Sequence, residues 1–205
     1  MWVRVPLPAP ERKDMPWLII TLSYLLGAIP TAYIAGRLLK RGDIRQLGDG
    51  NMGAQNAFRQ LGHKTGIIIF FIDTAKGVLP ILIARAASIP QLAIFTVGVA
   101  SVIGHNWPVF IGFRGGRGES TTIGVLLALI TQPLLIVAGP ALAVLAIKKN
   151  VTLASVFLFI PLPLVCWWLG LSGALVTYSM ALPSLVGFTH FLRRRRVSPS
   201  GVSSA

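Results

Sequence analysis

Acid is scarce in this sequence. Six Asp and Glu stand against nineteen Lys and Arg in 205 residues, and charged residues make up only 12% of the chain. A soluble domain carries about 25% charged and about 45–50% apolar residues. With 54% hydrophobic residues here, too little polar side chain remains to cover a water-facing surface, so the bilayer must be most of the solvent. Cysteine is almost absent. The lone Cys166 excludes an internal disulfide and reads as a small lipid- or helix-facing side chain. No Walker loop and no zinc-ligand spacing occur, so no metal and no cofactor are expected. Residues 1–15 carry prolines and mixed charge but no apolar run, which excludes a cleavable signal peptide and leaves a short N-terminal lead.

The charge that is present is basic, +13 in all. On a soluble domain it would suggest nucleic acid. Here the basic residues fall between apolar stretches, as in a membrane protein with basic cytoplasmic loops, and no nucleic-acid partner is expected. A spanning helix needs about 20 apolar residues. Residues 16–39, 65–84, 90–113, 151–169 and 171–192 each qualify as one crossing. Residues 120–147 are too long for one span and too short for two, yet basic residues flank both ends. A hairpin of two short helices broken near Thr131-Gln132-Pro133 satisfies both flanks. The expectation is an all-α integral membrane protein of about seven transmembrane helices, some short, with the N-terminus outside and the C-terminus inside. Fourteen of the nineteen Lys and Arg then face the cytoplasm. Residues 16–192 form one membrane domain and 193–205 a basic cytoplasmic tail.

Three cytoplasmic segments hold nearly all the polar chemistry. In residues 48–59, Gly48, Gly50 and Gly53 permit turns that aim successive backbone N–H groups at one anion, beside Asp49, and Asn51, Asn56 and Arg59 add side-chain donors. A flexible loop of turn residues is the competing reading. In residues 104–118, His105 leads into Arg114-Gly115-Gly116-Arg117-Gly118 at a helix start, which again offers amides and cations to a phosphate. A positive-inside anchor with a tight turn would look the same, and His105 could equally be a core histidine. In the third segment, Thr152 and Ser155 stand one turn apart after Lys148-Lys149, which alone signals only a helix N-cap. Asp73 and Lys76, three apart in the second span, share a helix face and should pair. None of His63, His105 or His190 has an acidic residue five positions on, which excludes the usual His-x4-Asp acyltransferase signature, and no catalytic residue is assigned.

Taken in order, these residues resemble the bacterial acyl-phosphate-dependent glycerol-3-phosphate acyltransferases, the PlsY family, over roughly residues 26–192. The resemblance rests on Gly27-Ala28-Ile29-Pro30-Thr31-Ala32-Tyr33, on residues 48–59, on Asp73-Thr74-Ala75-Lys76-Gly77, on residues 104–118 and on residues 149–155. It implies a seven-span inner-membrane enzyme that transfers an acyl group from acyl phosphate to the 1-hydroxyl of glycerol 3-phosphate, giving lysophosphatidic acid and phosphate without acyl-CoA or metal. The substrates and membrane lipid are the implied partners, with other enzymes of phospholipid synthesis as candidates. It further implies that the glycine loop and Arg59 hold phosphate and that Arg117, Thr152 and Ser155 help hold glycerol 3-phosphate. The chain departs from the family pattern at Asp49 (usually Ser), Gln55 (usually Thr), Arg117 (usually Lys) and Glu119 (usually small and apolar). Beyond His190 the expected Asn is Arg193. Two new acids beside an anion site leave two alternatives open: a non-catalytic or altered-specificity paralogue that binds phosphorylated lipid precursors, or a polytopic anion transporter.

Overall fold

The computed structural model describes residues 15–194. The N-terminal lead up to residue 14 and the tail from Arg195 lie outside the described residues. Ten α-helices occur among the described residues: α1 Met15–Gly27, α2 Thr31–Leu38, α3 Ala54–Gln60, α4 His63–Ala86, α5 Gln91–Asn106, α6 Glu119–Leu129, α7 Thr131–Lys148, α8 Val151–Phe159, α9 Leu162–Trp168 and α10 Gly173–Arg194. Six helical stretches are long and apolar enough to cross a membrane: Pro16–Leu38, His63–Ala86, Gln91–Ile111, Thr131–Lys148, Val151–Trp168 and Gly173–Arg193. The shorter α6 adds a seventh apolar helix.

Prolines interrupt two of these spans where they remove a backbone donor. The first breaks between α1 and α2 ahead of Pro30, and the fifth between α8 and α9 at Ile160-Pro161. The hairpin expected over residues 120–147 is present, but its halves are unequal. α6 has 11 residues and α7 has 18, and the break falls at Ile130, so Pro133 sits in the first turn of α7 and does not end a helix. A helix end within the bilayer needs partners for its last carbonyls. Thr131 donates its hydroxyl to the Leu127 carbonyl at 2.7 Å, and Arg85 reaches from the end of α4 to the Ala128 carbonyl at 2.6 Å.

Two helix pairs approach so closely that only glycine fits between them. A Cβ on Gly124 of α6 would overlap the Thr74 carbonyl oxygen, and one on Gly77 of α4 would overlap the Thr121 carbonyl oxygen. The same reciprocal arrangement joins α1 to α5, where Gly27 meets Ser101 and Gly104 meets Tyr24. Each partner pair lies three residues apart on its helix, so the contacts share one face; small residues drive such membrane-helix packing through dispersion at short range. α1, α4, α5 and α6 therefore form the inner bundle. The core between them contains Ile81, Val97, Val102, Val125 and Leu126, and Cys166 is fully buried against it. Trp17, Trp167 and Trp168 are about three-quarters exposed, as aromatic residues at a membrane interface are.

Gly124→Ala should lower stability by about 1–3 kcal/mol, the range for forcing extra volume into a packed contact. Gly139→Ala on α7, where a Cβ meets nothing within 4 Å, should be neutral. Thermal unfolding in detergent compares the two, and equal melting temperatures would refute the close-approach account.

Candidate active site

A buried knot of charge lies under the site. Lys76 Nζ is 2.7 Å from Asp73 Oδ1, and the two side chains keep only 4% and 1% of their surface. Lys76 also donates to the Ile29 carbonyl at 2.6 Å, which accepts the Thr31 amide as well where the first span breaks, and to the Thr31 hydroxyl. Thr31 in turn donates to Asp73 Oδ1 at 3.0 Å, and His105 Nδ1 stands 3.8 Å from the same oxygen. Ser101 donates to the Lys76 carbonyl at 2.7 Å. The knot thus ties the α1–α2 break, α4 and α5 together. A charge inside a membrane protein persists only with such partners.

Above it, His105 packs against Gly116, where any Cβ would overlap the imidazole. The Gly115 and Gly116 amides donate to the Asn106 and His105 carbonyls at 3.2 and 3.1 Å, folding residues 114–118 back over the end of α5. Arg193 on α10 clamps this turn from outside: its guanidinium donates to the Gly115 carbonyl and, at 2.6 Å, to the Asn106 carbonyl. Thr189 donates to the Arg117 carbonyl at 3.1 Å.

The glycine loop reaches the same place through two cross-links. Arg45, in a single 3₁₀ turn at Ile44–Gln46, donates to the Ile111 carbonyl at 3.2 Å. Arg117 Nη2 meets Asp49 Oδ2 at 3.2 Å. Arg45 is itself held by Asp43, with its Nη2 2.6 Å from Asp43 Oδ2, and its guanidinium lies over the Tyr33 ring at 5.2 Å. The Arg45 guanidinium holds the Asp43 carboxyl below the usual carboxylate range, against the opposing effect of burial. Between the loops lies a cavity of about 1060 Å³ whose lining includes Arg45, Arg114, Arg117 and Arg193, together with Asp43, Asp49, Gly50, Asn51, Trp107 and Thr189. Four guanidiniums and two carboxylates leave its wall with a formal charge of +2. Such a wall selects anions.

The family model described as glycerol-3-phosphate acyltransferase matches residues 17–197. The chain belongs to the glycerol-3-phosphate acyltransferase family. It is 51% identical over 182 residues to glycerol-3-phosphate acyltransferase 4 of Dehalococcoides mccartyi, covering 89% of this chain and 98% of the relative. It is 39% identical to the glycerol-3-phosphate acyltransferase of Desulforudis audaxviator, covering 84% of this chain and 87% of the relative. Its fold is similar to the crystal structure of PlsY (YgiH), an integral membrane glycerol 3-phosphate acyltransferase, in the glycerol 3-phosphate form. The TM-score is 0.80 and the identity 33%, over 89% of this chain and 92% of that one. The lysophosphatidic acid form of PlsY matches with a TM-score of 0.77. The chain is accordingly a multi-pass membrane enzyme.

For a member of this acyltransferase family, the placement of the candidate residues differs from the sequence expectation in several respects. Asp49, Gly50, Asn51, Gly115 and Arg117 come together on the cavity wall. Part of the expected cradle of backbone amides is engaged within the loops. Gly50 donates to the Leu47 carbonyl at 3.1 Å and Asn51 to Asp49 Oδ1 at 3.1 Å, while Gly115 and Gly116 are engaged as described above. The left-handed turns at Gly48 and Gly50 close the short loop on itself and direct these amides inward. Asn56 staples the loop: it is buried, and its amide nitrogen donates to the Leu47 and Asn51 carbonyls at 2.9 Å each. Gly48, Gly53 and the exposed Arg59 do not line the cavity, nor do Gly118, which starts α6 in a left-handed conformation, or His190. Thr152 is exposed on α8, whose N-cap is Asn150, and Ser155 donates to Glu119. His105 lies beneath Gly116 beside the knot and lines a small second cavity.

Sequence reasoning missed Arg45 and Arg193, which it counted only as a topology charge and a departure. The signal for Arg45 was the Asp43-x-Arg45 pair directly before the glycine loop. For Arg193 no local pattern pointed to a carbonyl clamp.

Lys76→Met should cost about 3–5 kcal/mol by leaving Asp73 charged and buried without its partner, read as a large drop in melting temperature; a change within error would show that the knot is dispensable. Because the Asp43 carboxyl is lowered by folding, the Asp43–Arg45 pair contributes fully above the unfolded carboxyl value of about 4 and is lost as pH falls through the lower folded value. Hydrogen exchange in residues 43–47 should therefore stay slow from pH 8 to about 5 and quicken only below about 4. Quickening near neutrality would contradict it.

Proposed function

We propose that this chain transfers an acyl group from acyl phosphate to the 1-hydroxyl of glycerol 3-phosphate at the cytoplasmic face of the bacterial inner membrane. The 1-hydroxyl oxygen forms a bond to the acyl carbonyl carbon, the bond from that carbon to the phosphate oxygen breaks, and inorganic phosphate leaves with lysophosphatidic acid as the other product. The hydroxyl proton passes to a phosphate oxygen of the substrates. The observation that carries the reading is the cavity in which Arg45, Arg114, Arg117 and Arg193 converge at one end of an apolar bundle. Both substrates bear a phosphate, and the acyl phosphate is already activated as a mixed anhydride. Positioning two anions and stabilising the oxyanion that develops on the carbonyl therefore supply most of the catalysis.

Three of the four guanidiniums have distinct parts. Arg117 faces the cavity from the turn that Thr189 and Arg193 hold, and it offers a phosphate the paired N–H groups of its fork. Arg114 is exposed at the cavity mouth, where it raises the local concentration of anionic substrate. Arg193 acts through the loop it clamps. The acyl chain reaches the cavity from the lipid, since the outer faces of the helices below it are apolar and exposed. The orientation is supported by the basic loops, which put the cavity on the positive-inside face.

Purified protein in lipid or detergent should release phosphate only when acyl phosphate and glycerol 3-phosphate are both present, in step with formation of lysophosphatidic acid. Arg117→Ala should lower kcat/KM by roughly 10- to 150-fold, equivalent to about 1.5–3 kcal/mol for hydrogen bonds to a charged group. Absence of turnover in the unsubstituted protein, with glycerol 3-phosphate binding retained, would overturn the acyl-transfer reading in favour of a binding paralogue.

A further inference from the structure

Asp49 makes an unusual pair of contacts for a carboxylate in an anion site. Its Oδ1 accepts the Asn51 amide at 3.1 Å and its Oδ2 accepts Arg117 Nη2 at 3.2 Å. One oxygen on a glycine-loop amide and another on a guanidinium is the donor set that a phosphate group would use at the same point. Asp49, Asn51 and Arg117 all line the cavity. Arg117 is engaged on one nitrogen of its fork only: its Nε is buried and has no partner among the described residues. A carboxylate held by Nη2 alone leaves the bidentate capacity of that edge unused, whereas a phosphate with three oxygens can take both N–H groups.

The pair is also cheap to open. Its side chains keep 20% and 38% of their surface, against 4% and 1% for Lys76 and Asp73. A partly exposed ion pair contributes little, so an incoming anion of higher charge can exchange with it, while the buried pair beneath stays fixed.

We propose that Asp49 is a specificity-determining internal counter-anion: in the unliganded protein its carboxylate occupies the phosphate donors of Arg117 and Asn51, and a dianionic phosphate displaces it to bind. The inference deepens the acyl-transfer reading and rests on it for the identity of the phosphate ligands. Three consequences follow from the charges. The carboxylate weakens every phosphate that uses Arg117. It discriminates against monoanions, which bring no more charge to the guanidinium than the group they must displace. Its return to Arg117 also promotes departure of inorganic phosphate, so removing its charge strengthens product inhibition.

Asp49→Asn tests this, because the amide oxygen keeps an acceptor for the Asn51 N–H while the negative charge is lost. Binding of inorganic phosphate and of glycerol 3-phosphate to the purified protein, measured by calorimetry without acyl donor, should tighten roughly fivefold, the weight of a partly exposed ion pair. In the Arg117→Ala background the same substitution should change neither affinity. Asp49→Glu, with melting temperatures of all variants, controls for folding: it should bind phosphate like the unsubstituted protein. Unchanged or weaker phosphate binding in Asp49→Asn at an unaltered melting temperature would overturn the proposal, and so would an equal gain in affinity without Arg117. The readout is binding, so it is separable from turnover. A protein that binds phosphate as predicted but transfers no acyl group refutes the enzymatic reading alone.

Discussion

The ion pair between Lys76 and Asp73 draws three separate pieces of chain to one point. Lys76 takes up the Ile29 carbonyl where the first span breaks and the hydroxyl of Thr31 just beyond it, and Asp73 faces His105 at the end of α5. Neither charge could stay in so dry a position alone. The break at Pro30 is therefore more than a missing backbone donor, because it supplies the carbonyl and hydroxyl that the ammonium needs. His105, fixed against this knot, becomes the floor on which Gly116 rests, and the turn carrying Arg117 is placed by that contact.

Close approach does for the helices what the knot does for the loops. Reciprocal glycine-to-carbonyl contacts between α4 and α6 and between α1 and α5 bring four helices together without large side chains. Arg85 and Thr131 satisfy the end of the half-length α6 inside the bundle. The polar loops then gather at one end, where Arg45, Asp49, Arg117 and Arg193 link them side chain to backbone and side chain to side chain. The two acids that break the family pattern are both engaged: Asp49 with Arg117 and Glu119 with Ser155. Asp at residue 49 and Arg at residue 117 are thus coherent as a pair, since a guanidinium fork suits a carboxylate and a phosphate alike.

The spans were legible because hydrophobic length is a direct requirement of the bilayer, and the hairpin of α6 and α7 was legible from its basic flanks, though not the inequality of its halves. The pairing of Asp73 with Lys76 followed from their three-residue spacing. The destination of the loop amides was not legible. Glycine content shows that a loop can turn toward an anion, but the same φ values at Gly48 and Gly50 turn it toward its own carbonyls, and only tertiary contacts decide. Asn56 shows the same limit, for an amide suited to phosphate is equally suited to stapling Leu47 and Asn51. Arg193 could not be read at all, because its partners at Asn106 and Gly115 lie far away in sequence.

The geometry favours Arg117, over the amides of Gly50, Gly115 and Gly116, as the group that receives the substrate phosphate. An experimental structure with glycerol 3-phosphate bound tests it most directly. Phosphate oxygens should lie within hydrogen-bond distance of Arg117, with the Gly50, Gly115 and Gly116 amides still bonded to Leu47, Asn106 and His105. A phosphate seated on those three amides, with Arg117 turned away, would contradict it.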